Sequence, residues 1–156
     1  MYSAYDLFIL EIVNSRFGGL KMAFMDWTDD LSVGIKEIDS QHQRLIQIIN
    51  TLYDAMKAGK GQEVLGKTLD ELVNYTVYHF QVEENYFQKF NYPEKDAHKI
   101  QHQKFVEKIE QSHTEFQNGS ISVATSLLPF LSKWLFSHIR GTDKKYTNFF
   151  HEHGLS

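Results

Sequence analysis

Apolar residues recur at spacings of three and four along the chain from about residue 39, the repeat of helices that bury one face. Four such stretches predict four helices. We expect the first to begin near Asp39 and Ser40, either of which can cap a helix, and to end at Gly59 and Gly61. The second is predicted over about residues 62–90.

The third and fourth helices are predicted from the same repeat. Pro93 stands where the third would start, since proline is tolerated in a first turn, and Asn118 with the following glycine ends it. The fourth ends at Gly141, and Pro129 within it predicts a kink or a late helix start. A last turn follows over about residues 143–150. Because no segment alternates with period two, we predict an all-α, antiparallel, up-down-up-down four-helix bundle with an N-terminal extension.

Composition narrows the class of protein. The chain has 156 residues, enough for one domain, with 42% hydrophobic and 23% charged residues. No apolar run approaches the ~18 residues of a membrane span, and the net charge of -4 argues against a nucleic-acid surface. Cysteine is absent, which excludes disulfides, thiolate metal sites and cysteine nucleophiles. We therefore expect a monomer in the cytoplasm that neither enters a membrane nor binds nucleic acid.

Residues 1–21 differ from the rest because they contain no histidine. Asp6 and Glu11 flank their apolar stretch, and neither a basic segment nor a cleavage site accompanies it, so a secretory signal is not expected. Two interpretations stay open: a short amphipathic helix, or a segment outside the natural protein, with translation starting at Met22. We place the functional domain at residues 22–156.

Histidines and carboxylates carry the candidate chemistry. Five of the eight histidines fall in the apolar faces, with two carboxylates at helical spacing: His42 in the first helix, His79 and Glu83 in the second, His98 and His102 in the third, and His138 and Asp143 at the end of the fourth. Taken singly, each is more typical of a solvated pair or a hydrogen-bonded core histidine. An unpaired buried imidazole costs about 1–3 kcal/mol, however, and a shared metal satisfies all of them together. His113, His151 and His153 are expected away from this site.

The number and type of donors indicate which metal binds. Five imidazoles and two carboxylates exceed the four ligands of a structural zinc site, so two ions are predicted, with the carboxylates as bridges. Imidazole suits zinc, copper, iron and nickel, and carboxylate-bridged pairs in helix bundles are typically iron or manganese. With one bridging solvent oxygen, a single octahedral position would stay open. Such a position predicts a site for a small molecule.

These motifs resemble those of the bacterial hemerythrins, four-helix proteins that bind oxygen at a non-haem di-iron centre. The resemblance extends from about Met25 to Phe150. It includes Trp27, residues 32–35, residues 38–42, residues 79–84, Tyr92-Pro93, the His98/His102 pair, Trp134-Leu135, His138-Ile139 and Asp143. The same order of motifs implies the same bundle and a member of this family.

The resemblance also implies the ligand set. One iron would take three histidines, the other would take two and keep the open position, and two carboxylates with an oxo or hydroxo group would bridge them. In this sequence the first iron would take His98, His102 and His138, and the second would take His42 and His79. The bridging carboxylates would be Glu83 and Asp143. Dioxygen would bind at the five-coordinate iron and leave again as oxygen, in carriage, storage or delivery to an oxygen-consuming client protein.

The predicted pocket wall favours a binding protein over an enzyme. It consists of Leu45, Ile46, Phe105, Trp134 and Leu135. None of these is a general acid, and five neutral imidazoles favour high-valent iron less than the carboxylate-rich sites of oxygen-activating bundles do. Glu84 is expected at a helix edge or in solvent, about 100° from Glu83.

Two alternatives belong to other classes of function. A related enzyme acting on nitric oxide or repairing iron–sulfur centres would be expected to carry an extra carboxylate in the pocket or a region with cysteines. An oxygen sensor would be expected to have a second domain. We see neither feature in the sequence, and reversible oxygen binding is the preferred interpretation.

Overall fold

The computed structural model describes residues 23–120 and 122–156, so the predicted extension over residues 1–21 lies outside the described residues. The described chain forms four long helices and a short one, with no strand among these residues. They are α1 (Lys36–Lys57), α2 (Gly61–Phe90), α3 (Lys95–Gln117), α4 (Val123–Gly141) and α5 (Tyr146–Glu152). Two single 3-10 turns, Asp29–Leu31 and Asp143–Lys145, precede α1 and α5.

The four long helices pack as a bundle. α2 contacts α1 and α3, and α4 contacts α1, α3 and, less extensively, α2. The connections between consecutive helices are short, as expected for antiparallel neighbours. The predicted all-α four-helix bundle is thereby confirmed. None of the helices in the described ranges is both long and apolar enough to cross a membrane.

The start of α1 corrects one prediction. The helix begins at Lys36, three residues before the predicted cap at Asp39. Asp39 instead lies inside the first turn, where its carboxylate accepts hydrogen bonds from the Ser32 hydroxyl (2.6 Å) and the Val33 backbone N–H (2.7 Å). This side chain fixes the segment before the helix rather than the helix end itself.

The helix starts predicted from the two prolines also differ from those in the structure. Pro93 lies two residues before α3, which starts at Lys95. Of the two outcomes predicted at Pro129, the late helix start is wrong, because α4 begins at Val123 and continues through Pro129. The kink stays a prediction. A proline costs one backbone hydrogen bond there. Buried leucines on both sides of it, Leu127, Leu128 and Leu131, anchor the helix despite that loss.

Candidate metal centre

The seven predicted ligands lie together at the centre of the bundle. All are buried, with exposed fractions between 0% and 3%. Residues four apart on a helix share a face, so α2 directs both His79 and Glu83 inward. α3 does the same with His98 and His102. The remaining three are His42 in α1, His138 near the end of α4 and Asp143 in the 3-10 turn after it.

Three histidines form a first group in which the Nε2 atoms face one another. The Nε2 atom of His138 lies 3.1 Å from that of His98 and 3.2 Å from that of His102. Octahedral ligands about 2.1 Å from an ion and at right angles stand about 3.0 Å apart, close to these distances. The donor atoms of this group and of Glu83 all lie within 4.8 Å of one another. The group has the spacing of ligands to one ion.

A second group contains His42 and His79. Their rings lie 4.8 Å apart between centroids, edge to face. Their donor atoms and an oxygen of Glu83 again lie within 4.8 Å of one another. Glu83 therefore belongs to both groups, and the second group contributes one imidazole fewer than the first.

Asp143 lies between the two groups with one oxygen toward each. Its Oδ1 atom is 3.1 Å from Nε2 of His98 and 3.1 Å from Nε2 of His138. Its Oδ2 atom is 3.2 Å from Nε2 of His42 in the second group. A carboxylate in this position has one oxygen for each of two ions.

Glu83 is shared through a single oxygen. Its Oε2 atom lies 3.1 Å from Nε2 of His102 and 3.8 Å from Nε2 of both His98 and His79. Its Oε1 atom accepts a 2.5 Å hydrogen bond from the hydroxyl of Tyr146, and both side chains are fully buried. Sequence reasoning did not identify Tyr146, although it follows Asp143 by three residues.

Several buried polar atoms in this centre have no hydrogen-bond partner among the described residues. They are both ring nitrogens of His42, Oε2 of Glu83 and both oxygens of Asp143. An unsatisfied buried polar group costs about 1–3 kcal/mol, and native proteins rarely leave several in one place. Imidazole nitrogens and carboxylate oxygens are ligands of iron, zinc and manganese. The donor set therefore fits bound metal ions.

Side chains outside the centre hold two of the histidines in a single tautomer. Nδ1 of His79 lies 2.8 Å from the amide oxygen of Gln41, and Nδ1 of His138 lies 3.2 Å from that of Gln101. An amide oxygen only accepts, so each Nδ1 donates its proton, and the lone pair of each Nε2 points into the centre. Metal-binding histidines are typically held in this way.

His102 has a carboxylate partner instead. Its Nδ1 atom lies 3.2 Å from Oε1 of Glu84, whose other oxygen is 3.3 Å from Nζ of Lys99. Glu84 is at the edge of its helix as expected, but this contact with the site was missed. The sequence offered only the adjacency of Glu84 to Glu83 as a signal.

The electrostatics of the metal-free centre follow from burial and these contacts. Burial lowers the pKa of His79 to about 3. Burial also disfavours charge on His102, but the nearby carboxylates of Glu83 and Glu84 outweigh it and raise its pKa to about 9. Burial and the neighbouring Asp143 raise the pKa of Glu83, whereas His79 and His102 lower it more, to about 2. The centre therefore retains anionic carboxylates that favour cations.

Aromatic rings cover the outer side of the three-histidine group. Trp134 stacks on His138 with ring centroids 4.2 Å apart, and Phe105 lies 4.1 Å from Trp134. Phe80, which sequence reasoning missed, stacks on His102 at 3.7 Å and 3° between planes. It follows His79 directly, so its position on the helix gave no sign of this contact.

The other predicted wall residues are aliphatic. Leu45 and Ile46 are buried one turn after His42 in α1, and Leu135 is buried one turn before His138 in α4. Their contact with a bound small molecule stays a prediction.

The remaining histidines lie outside the centre. His113 pairs with Asp70 at 3.1 Å, and its side chain is 30% exposed. Nε2 of His151 lies 3.0 Å from the backbone oxygen of Gly34, and Nδ1 of His153 lies 2.7 Å from the backbone oxygen of Phe149. His151 and His153 are exposed, as expected.

Comparisons with known proteins agree with the fold and identify the family. The family described as Hemerythrin HHE cation binding domain matches residues 33–149. A bacteriohemerythrin of Stenotrophomonas maltophilia is 39% identical over 127 residues, covering 81% of this chain and 82% of that protein. A bacteriohemerythrin of Methylococcus capsulatus is 35% identical over 126 residues, or 80% of this chain and 95% of that protein.

Solved structures extend the comparison to the backbone. The crystal structure of a wild-type hemerythrin is 33% identical and has a TM-score of 0.75, covering 81% of this chain and 97% of that one. A variant of a hemerythrin in which a leucine is replaced by tyrosine gives a TM-score of 0.76 at the same identity. With its helical bundle and buried histidine–carboxylate centre, this chain belongs to the hemerythrin family.

Proposed function

We propose that the protein binds dioxygen reversibly at a non-haem di-iron centre and serves in oxygen carriage, storage or delivery. The observation that carries this proposal is the arrangement of the two buried carboxylates, each of which faces both histidine groups. Such an arrangement suits a pair of ions rather than one. Membership of the hemerythrin family supports iron as the metal.

The proposed ligands follow the two groups. His98, His102 and His138 would hold one ion, His42 and His79 would hold the second, and Glu83 and Asp143 would contact both. Because the second group has one imidazole fewer, we expect a small ligand to bind on its side. When bound, iron supplies the redox-active position at which dioxygen is held.

The protein's own side chains orient and shield this centre. Gln41 and Gln101 hold a proton on Nδ1 of His79 and His138, and thereby keep each Nε2 available as a ligand. Tyr146 holds its hydroxyl proton against Oε1 of Glu83, which leaves Oε2 directed at the two groups. These contacts fix donor positions before any metal arrives.

The proposed wall explains why the ligand would leave unchanged. The predicted wall residues offer no acid that could protonate bound oxygen: Leu45 and Ile46 follow His42 by one turn in α1, whereas Phe105, Trp134 and Leu135 lie on the side of His138. Glu84 is the added carboxylate near the centre, but it contacts Nδ1 of His102, on the opposite edge of the ring from Nε2. We therefore propose a binding protein and not an enzyme. The client protein, the monomeric state and the cytoplasmic location stay predictions.

Metal analysis combined with absorption spectra under cycles of air and argon tests the proposal. We expect about two iron ions per chain and near-ultraviolet and visible bands that fade on deoxygenation and return with oxygen. A stable zinc protein without visible bands would contradict the proposal. Catalytic consumption of nitric oxide, in place of a reversible oxygen cycle, would favour the enzymatic alternative.

A further inference from the structure

The outer nitrogens of the site histidines have chemically different partners. Three of these imidazoles have a described side-chain partner at Nδ1. The partners are the amide oxygen of Gln41 for His79, the amide oxygen of Gln101 for His138 and the carboxylate of Glu84 for His102. The anionic partner of the three therefore belongs to the three-histidine group, whereas the partner described in the two-histidine group is neutral.

The charge of the partner matters because it acts through the ring. An ionised carboxylate can only accept, so Nδ1 of His102 donates its proton to Glu84. The negative charge of the carboxylate beside Nδ1 gives the imidazole more imidazolate character. Nε2 is then a stronger electron donor to a metal than it is when the partner at Nδ1 is an amide. Through this contact, Glu84 influences the donor strength of His102 toward a metal in the centre.

Glu84 also has a cationic neighbour that moderates its charge. Nζ of Lys99 lies 3.3 Å from Oε2 of Glu84, the oxygen that is not used by His102. The Glu84 side chain is 25% exposed and lines a groove of about 560 Å³ between α2 and α3. The carboxylate is therefore partly accessible to water from this groove while it contacts His102 and Lys99.

We propose that Glu84 is a positioning residue that acts through His102 and makes the three-histidine position the more electron-rich of the two metal positions. This inference rests on the ligand set in the proposed function. An ion held there would be stabilised in its oxidised state relative to an ion held by His42 and His79. The two positions would thus differ in donor strength as well as in the number of histidines.

The main test compares the wild-type protein with Glu84→Gln, which keeps the shape and an acceptor oxygen but removes the charge. Iron content is measured first, and then the reduction potential of the centre by spectroelectrochemical titration. Metal affinity is measured by competition with a chelator. We expect two irons to load in both proteins, a higher reduction potential in the variant and about tenfold weaker binding of one ion.

Two further variants separate this effect from general electrostatics and from helix packing. Glu107→Gln removes the same charge from the rim of the same groove, where its carboxylate accepts a hydrogen bond from Gln103, and should leave the potential unchanged. Lys99→Gln breaks the same inter-helix ion pair as Glu84→Gln but should lower the potential, because it leaves the carboxylate less neutralised. If the ion pair served only to join the helices, both of its variants would lose thermal stability without these opposite shifts.

A rescue variant closes the test. Glu84→Gln combined with Gln101→Glu moves the carboxylate from His102 to His138 within the same group and should return the potential toward the wild-type value. A Glu84→Gln protein with two irons and an unchanged potential would overturn this inference and leave the proposed function intact. Wild-type protein that does not load two irons would overturn both.

Discussion

The hydroxyl of Tyr146 allows a quantitative test of how the centre is held. It donates a 2.5 Å hydrogen bond to Oε1 of Glu83, and both side chains are completely buried. A hydrogen bond to a charged group contributes about 1.5–3 kcal/mol, and loss of the donor leaves that oxygen buried without a partner. The Tyr146→Phe change keeps the ring contacts with Phe150 (4.9 Å) and His98 (5.8 Å). We therefore expect the free energy of unfolding to fall by about 2–3 kcal/mol.

Tyr86→Phe is the matched control. The Tyr86 hydroxyl also donates to a glutamate, Glu37, but this contact lies on the surface, where water replaces a lost partner. We expect its removal to cost less than about 1 kcal/mol. The change in chemistry is the same in both variants, so the difference between them measures the effect of burial.

The assay is thermal unfolding followed by circular dichroism, at equal iron content because bound metal adds to stability. For a domain of this size, the expected loss lowers Tm by roughly 4–12 °C in Tyr146→Phe, and by a few degrees at most in the control. Equal shifts in the two variants would refute the argument that Tyr146 supports a buried, ionised Glu83.

Three other predictions concern the metal and its pocket. His98→Ala and His138→Ala should lower the iron content measured by elemental analysis, whereas His113→Ala should not; equal contents would refute the ligand assignment. Leu135→Ala should leave the iron content unchanged but speed autoxidation followed by absorption, because water reaches the centre; a wild-type rate would show that this side chain does not wall the site. The pKa of His102 is about 9 in the metal-free centre, so its ring is protonated at neutral pH and must lose that proton to bind metal. Metal affinity should therefore rise between pH 7 and pH 9, and calorimetry in buffers of different ionisation enthalpy should detect proton release; a flat profile would contradict the raised pKa.

The sequence alone determined the helices and which of their faces are buried. Helical periodicity is a local property, so the spacing of four residues between His79 and Glu83, and between His98 and His102, predicted shared faces without any knowledge of the partner helices. The same locality explains the errors at helix ends. Asp39 has the character of a cap, but its bonds to the preceding segment depend on where that segment folds.

Only the tertiary structure decided which atoms meet around the centre. Glu84 contacts His102, and Gln101 reaches His138, because of how each helix is rotated and offset against its neighbour. Those relations involve residues 18 and 37 positions apart, which no local repeat encodes. Tyr146 is 63 positions from Glu83 and meets it only after the turn that follows α4 has folded back over the bundle. The identity of the ligands could thus be predicted from helical spacing, whereas the contacts that hold and tune them depend on long-range packing.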